Sequence, residues 1–213
     1  MNIPIVNRFS YHKSPGDFAE SYFRRTYFKN IGLGFRKLWR DKEGEKPDGF
    51  ILNCKRERIA IAEIKLIQYN RRVGEGFHRL HTPQTVRQAM RKARQQLHAV
   101  KADLPKIIYL IRDDSFLKSR VLKIAIFGDL VTVFCGDEIL FQGHSGFRNK
   151  TRSDNKFRNN DVSAVICFVP LQRGYKLWIY KNELATPIAD VILDKSHCEE
   201  LWSYDGTFLK RIQ

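Results

Sequence analysis

Apolar and polar positions in this chain follow two periods, one helical and one of strand type. From Pro15 to about Phe28 the apolar residues Phe18, Ala19, Tyr22, Phe23 and Tyr27 form a wide arc at helical spacing, as a helix with one buried face does. Ser14-Pro15-Gly16-Asp17 opens it: Ser14 suits the N-cap, Pro15 the first helical position, and Asp17 acts as an acidic capping-box variant. Glu20 falls at the edge of the arc, beside Arg24. Leu33 to Arg40 and Gly49 to Asn53 read as strands, the polar run Lys55-Arg56-Glu57-Arg58 as a hairpin turn, and Ile59 to Ile67 as the returning strand. That returning run is apolar on both faces, which predicts a central strand covered on both sides.

A polar segment from Tyr69 to Thr82 precedes a second helix, Pro83 to about Val100, with Val86, Met90, Ala93, Leu97 and Val100 as its buried stripe. Lys106 to Ile111 is a further strand. Ser115 to Ile126 fits a third helix, although Val121 to Phe127 also suits a strand. The last third reads as mostly β: Val131 to Phe134, Ile139 to Phe141, Val162 to Val169 and Lys176 to Tyr180. Between them Gly143 to Asp161 is a polar, basic loop. The pattern predicts one α/β domain over 1–213: a central mixed β-sheet flanked by helices, with a core over about 14–142 and a β-rich C-terminal extension over about 143–213.

Two charged residues, Glu63 and Lys65, interrupt the hydrophobic returning strand. Side chains of a strand alternate faces, so these two point the same way while Ile64 points oppositely into the core. Burying an acid and an amine in such a strand is costly without compensation. A divalent metal is one compensation, since hard cations take carboxylate oxygens, and Asp48 at the start of the preceding strand can supply a second carboxylate. The alternative is a Glu63–Lys65 pair on the solvent face of an edge strand, with Asp48 an ordinary turn residue. An acid-X-lysine triplet alone is common, arising roughly once per few hundred residues. Asp154-Asn155-Lys156 is another, set aside because no apolar strand presents it.

Pro47-Asp48, fourteen intervening residues, then Glu63-Ile64-Lys65 resembles the motif of the PD-(D/E)XK nuclease superfamily, the restriction-endonuclease-like group. The resemblance covers roughly residues 14 to 112 and implies a core of helix, three-strand meander, helix and further strand. It implies that Asp48 and Glu63, with the backbone carbonyl of Ile64, hold Mg²⁺ or Mn²⁺, and that Lys65 orients or helps deprotonate the attacking water and stabilises charge on the phosphate. Many members add a carboxylate from the first helix, for which Glu20 is the best-placed residue. Some add a glutamine or lysine from the second helix, where Gln84, Gln88 and Lys92 share a face. The implied activity is metal-dependent phosphodiester hydrolysis by a DNA endonuclease, with double-stranded DNA favoured over RNA. A nucleic-acid-binding protein of the same fold without cleavage is the alternative.

Charge bears on the partner. With 38 Lys+Arg against 23 Asp+Glu, the formal net charge is +15, a field that attracts polyanions such as nucleic acid. Arg87, Arg91, Arg94 and His98 form a basic stripe on the second helix that fits a phosphate track or a solvated face equally well. Arg148, Lys150 and Arg152 in the basic loop, interleaved with Phe147 and Phe157, suit a segment that orders over nucleic acid, the alternative being an unstructured connection. His78 and His81 lack a further ligand nearby and read as surface residues. Cutting both strands of a duplex often calls for a symmetric homodimer, although the sequence marks no interface.

Cys54, Cys135, Cys167 and Cys198 form no CxxC pair and read as reduced core thiols of a cytoplasmic protein. The N-terminus has no apolar stretch long enough for a signal peptide, and the longest apolar run, Val162 to Leu171, is too short to cross a bilayer. No membrane partner is expected.

Overall fold

The computed structural model describes residues 15–38, 46–67, 83–112, 119–128, 130–144, 161–171, 174–205 and 208–213. Ser14, the segment holding His78 and His81, the decoy triplet at Asp154, and the loop residues Phe147, Arg148, Lys150, Arg152 and Phe157 lie outside them. Among the described residues eight strands form one mixed sheet in the order β1-β2-β3-β4-β7-β8-β9-β10, and β5 with β6 forms a separate hairpin. The strands are β1 (Gly34–Lys37), β2 (Gly49–Leu52), β3 (Arg58–Ile67), β4 (Lys106–Arg112), β5 (Leu130–Cys135), β6 (Glu138–His144), β7 (Ala164–Pro170), β8 (Tyr175–Asn182), β9 (Cys198–Tyr204) and β10 (Leu209–Arg211). β1, β2 and β3 are an antiparallel meander, after which β3, β4 and β7 run parallel. The stretch expected as a C-terminal extension thus continues the same sheet from β7 onward.

The first helix, α1, begins as Pro15–Tyr22, passes through a π-helical turn Phe23–Tyr27, and ends as Phe28–Asn30. The π turn has a sequence cause. Phe23, Tyr27 and Phe28 are all fully buried, yet an α-helix turns about 100° per residue and would swing Phe28 away from Phe23. A wider turn, closed by the Phe28 amide on the Phe23 carbonyl, brings both later rings under the first. All three rings pack on Tyr109 of β4.

The second helix, α2 (Pro83–His98), buries Val86, Ala93 and Leu97 on the opposite face of the sheet, with Met90 and Val100 partly buried against the same core. β3 alternates between these two cores. Ala60, Ala62 and Ile64 join the α1 side, while Ile61 and Ile67 join the α2 side. It is the doubly covered strand that its apolar sequence predicts.

The ambiguous stretch before residue 128 is a helix, α3 (Ser119–Phe127), because Leu122, Ala125, Ile126 and Phe127 close over the α2 side of the sheet. The cysteine expectation needs correction. None of the four is in a disulfide, but only Cys167 is buried; Cys54 and Cys135 are exposed and Cys198 is intermediate. Apolar neighbours placed Cys135 in a strand, but that strand belongs to the outlying hairpin. Among the described residues, no helix is long and apolar enough to cross a membrane.

Candidate active site

The meander assembles the site through its register. Gly49 pairs with Ala62, so Asp48, one residue earlier, stands opposite Glu63. β2 has not yet begun there, and Asp48 fills the ladder with its own groups. Its amide donates to Glu63 Oε2 at 2.9 Å, its Oδ2 accepts the Ile64 amide at 2.7 Å, and its carbonyl accepts the Leu38 amide at 2.9 Å. Both carboxylates are buried, Asp48 2% and Glu63 0% exposed. Gly49 makes this approach feasible, because a Cβ there would lie 2.4 Å from the Arg36 carbonyl oxygen and 2.7 Å from the Phe35 ring.

Lys65 follows Glu63 on the same side of β3. Its ammonium donates to Glu63 Oε1 and, at 2.6 Å, to Gln96 Oε1 of α2. The Gln96 amide nitrogen in turn donates to the Lys46 carbonyl at 3.3 Å. Gln96 therefore ties three pieces together: α2, Lys65, and the chain entering Asp48. Burial and the Asp48 carboxylate push the Glu63 carboxyl up to about 7, against the pull of Lys65. Two buried carboxylates that repel each other, with lone pairs to spare, suit a hard cation. Oxygen-only donors of this kind fit Mg²⁺ or Mn²⁺.

The other expected contributors are placed as follows. Glu20 is buried and ion-pairs with Lys37 at 2.7 Å. Lys37 lies on the face of β1 that carries Phe35 toward α1, whereas Glu63 and Lys65 share the face of β3 whose Ile61 and Ile67 pack under α2. Among the described residues, no three His, Cys, Asp or Glu side chains gather into a metal-holding group. Gln84, Gln88 and Lys92 are exposed on α2. Successive i, i+4 positions drift about 40° around a helix, and only Gln96, the next member of that row, turns inward to the site. The row was visible in sequence, but not which member would reach the sheet.

The basic stripe of α2 is largely occupied. The Arg87 guanidinium donates to the Ile124 carbonyl at 3.1 Å. Arg94 lies 3.7 Å and His98 2.6 Å from the Asp161 carboxylate. Arg91 is exposed. Arg87, Arg94 and His98 thus have partners within the fold, and Arg91 lies on solvent-accessible surface without changing which of the two readings of the stripe holds.

A second polar group lies in the 3₁₀ turn Lys195–His197. Ser196 Oγ donates to Asp194 Oδ1 at 2.6 Å and sits 2.9 Å from His197 Nδ1, the nitrogen that also meets Asp194 Oδ2 at 2.9 Å. A serine–histidine relay needs the hydroxyl and the carboxylate on opposite ring nitrogens. Here one nitrogen serves both, so the group fastens the turn, with Tyr175 donating to Asp194 Oδ2 at 2.8 Å. Burial works against ionisation of Asp194, but the bonds from Ser196, Tyr175 and His197 outweigh it and hold the carboxyl below its ordinary value. Comparison of the chain with protein-family models, with curated proteins and with solved structures returned no match.

Proposed function

We propose that the chain is a metal-dependent nuclease, a DNA endonuclease of the restriction-endonuclease-like arrangement. The observation that carries this reading is the mutual bonding of Asp48, Glu63 and Lys65 at the mouth of a buried meander. Of the two readings open in the sequence, a solvent-face pair on an edge strand fits poorly with a fully buried Glu63 in the third strand of eight. The element order also supports it: helix, antiparallel meander, helix, parallel strand. The surplus of cations, +15 overall, supports a polyanionic substrate.

Asp48, Glu63 and the Ile64 carbonyl would hold Mg²⁺ or Mn²⁺, which when bound lowers the pKa of water and offsets charge on the phosphate. The chain's own groups do the rest. Lys65 presents a cation to the phosphate oxygens while Gln96 and Glu63 fix its ammonium. Asp48 is locked by three backbone-level bonds and so holds its carboxylate without reorganising, as preorganised electrostatics requires. In hydrolysis the water oxygen bonds to phosphorus, the bond to the leaving oxygen breaks, and that oxygen takes up a proton.

The test is incubation of the purified protein with supercoiled plasmid and with single-stranded DNA, with Mg²⁺, Mn²⁺ or EDTA. Metal-dependent cutting that falls by several orders of magnitude in Asp48→Ala and Lys65→Ala is expected. Binding without cutting on any nucleic acid would favour a non-cleaving binder. Cutting that survives both substitutions would place the site elsewhere.

A further inference from the structure

The turn between β2 and β3 departs from local preference. Among the described residues, Arg56 is the one non-glycine residue with positive φ, at 63°. This left-handed region disfavours side chains with a Cβ, and glycine or asparagine is the usual occupant. The turn is not loosely held. Asn53 Nδ2 donates to Glu57 Oε2 at 2.7 Å, and the Glu57 amide donates to Asn53 Oδ1 at 2.9 Å. The Arg56 amide donates to the Asn53 carbonyl at 3.0 Å. The clamp therefore holds Arg56, an exposed residue, in an unfavourable conformation.

Lys55, Arg56 and Arg58 are all exposed. Arg58 lies over the Phe50 ring at 4.4 Å, which orients its guanidinium while leaving it accessible. No carboxylate pairs with any of the three among the described residues. An unfavourable backbone kept where glycine would relieve it points to a use for the side chain.

We propose that this turn is a phosphate-backbone contact for duplex nucleic acid, with Lys55, Arg56 and Arg58 as its cations; this rests on the nuclease reading. Three exposed cations on one hydrogen-bonded turn suit contact with a run of phosphates. An anionic membrane fits less well, because none of the large exposed hydrophobic side chains lies on the turn to enter the lipid interface. The turn stands five residues along β3 from Glu63, roughly 16 Å. A duplex carries a charge every 1.7 Å or so, so one molecule can engage both places.

The test uses full-length protein in EDTA, a fluorescein-labelled duplex several helical turns long, and anisotropy titrations over a range of salt. Arg56→Asn relieves the backbone and removes the charge. It is expected to raise the melting temperature by about 2 °C while weakening duplex binding several-fold and lowering the salt slope by about 1. Arg56→Lys keeps the charge and is expected to bind like wild type without the thermal gain. A more stable Arg56→Asn with unchanged affinity and slope overturns the inference and leaves the nuclease reading intact. Wild type that neither binds nor cuts nucleic acid overturns both, and so does binding confined to anionic vesicles.

Discussion

Burial and the neighbouring Asp48 raise the proton affinity of Glu63, and this sets a stability signature. Its carboxyl ionises near 4.5 in an ordinary setting and near 7 in the fold. Between those values the native state binds a proton that the unfolded chain has released. Stability from this group is therefore fully present below about 4.5 and is lost as pH rises through about 7. Glu63→Gln, which mimics the protonated form, is expected to melt higher than wild type above pH 7 in EDTA, with the gap closing toward pH 4.5. A gap independent of pH would show that Glu63 is not the titrating group. Added Mg²⁺ is expected to raise the melting temperature of wild type above pH 7 but not that of Glu63→Gln. Gln96 lies one step further out. Gln96→Leu frees Lys65 on one side, and a loss in kcat on the order of 10-fold with little change in KM is expected from steady-state cleavage assays. Gly49→Ala tests the close approach of β1 and β2. A methyl 2.4 Å from the Arg36 carbonyl forces the strands apart, and urea denaturation is expected to show a loss of about 1–3 kcal/mol or more.

At the scale of elements, α2 serves two purposes that its sequence does not separate. Its apolar stripe fixes the helix over the sheet, and its C-terminal half delivers Gln96 to Lys65. Its arginines mainly hold neighbours: Arg87 bonds the last turns of α3 through the Ile124 carbonyl, and Arg94 and His98 meet Asp161. Arg87→Met is therefore expected to lower thermal stability while leaving nucleic-acid affinity nearly unchanged, and Arg91→Ala to do the reverse. Anisotropy and melting curves on both variants decide this; a large affinity loss in Arg87→Met with no thermal effect would favour the open-track reading. The Ile124 carbonyl keeps the Gly128 amide as a donor at 3.0 Å, so the cost of Arg87→Met should be about 0.5–1.5 kcal/mol, the net worth of one hydrogen bond. The Asp194 turn is an element of another kind. Its bonds satisfy a buried carboxylate and close the β8–β9 connection rather than perform chemistry.

For the whole molecule, charge and topology act at different ranges. The net charge of +15 is long-ranged and sequence-independent, so duplex affinity is expected to fall linearly with the logarithm of salt concentration. A flat salt response would remove polyanion binding from the account. Topology acts by contact. The parallel pairing of β4 with β7 joins the C-terminal strands to the meander in one sheet, while the cores under α1 and α2 cover β3 on both faces. That cover keeps Glu63 dry, raises its proton affinity, and lets the Asp48 and Lys65 bonds form with little competition from water.

Much of this was legible in the chain itself. The helical arc of α1, the stripe of α2 and the returning run at β3 follow from local periodicity, because one buried face imposes a fixed spacing on apolar residues. Glu63 and Lys65 stood out for the same reason, as charges in a strand that otherwise excludes them. The π turn in α1, the inward turn of Gln96 rather than Gln84 or Gln88, the pairing of Glu20 with Lys37, and the exposure of Cys135 were not legible. Each depends on which distant surface arrives opposite a residue, and a one-dimensional pattern records only that something apolar or polar is needed there. The sequence alone determined which elements form and which charges are out of place; the tertiary structure decided their partners, because partner choice is set by long-range register and packing.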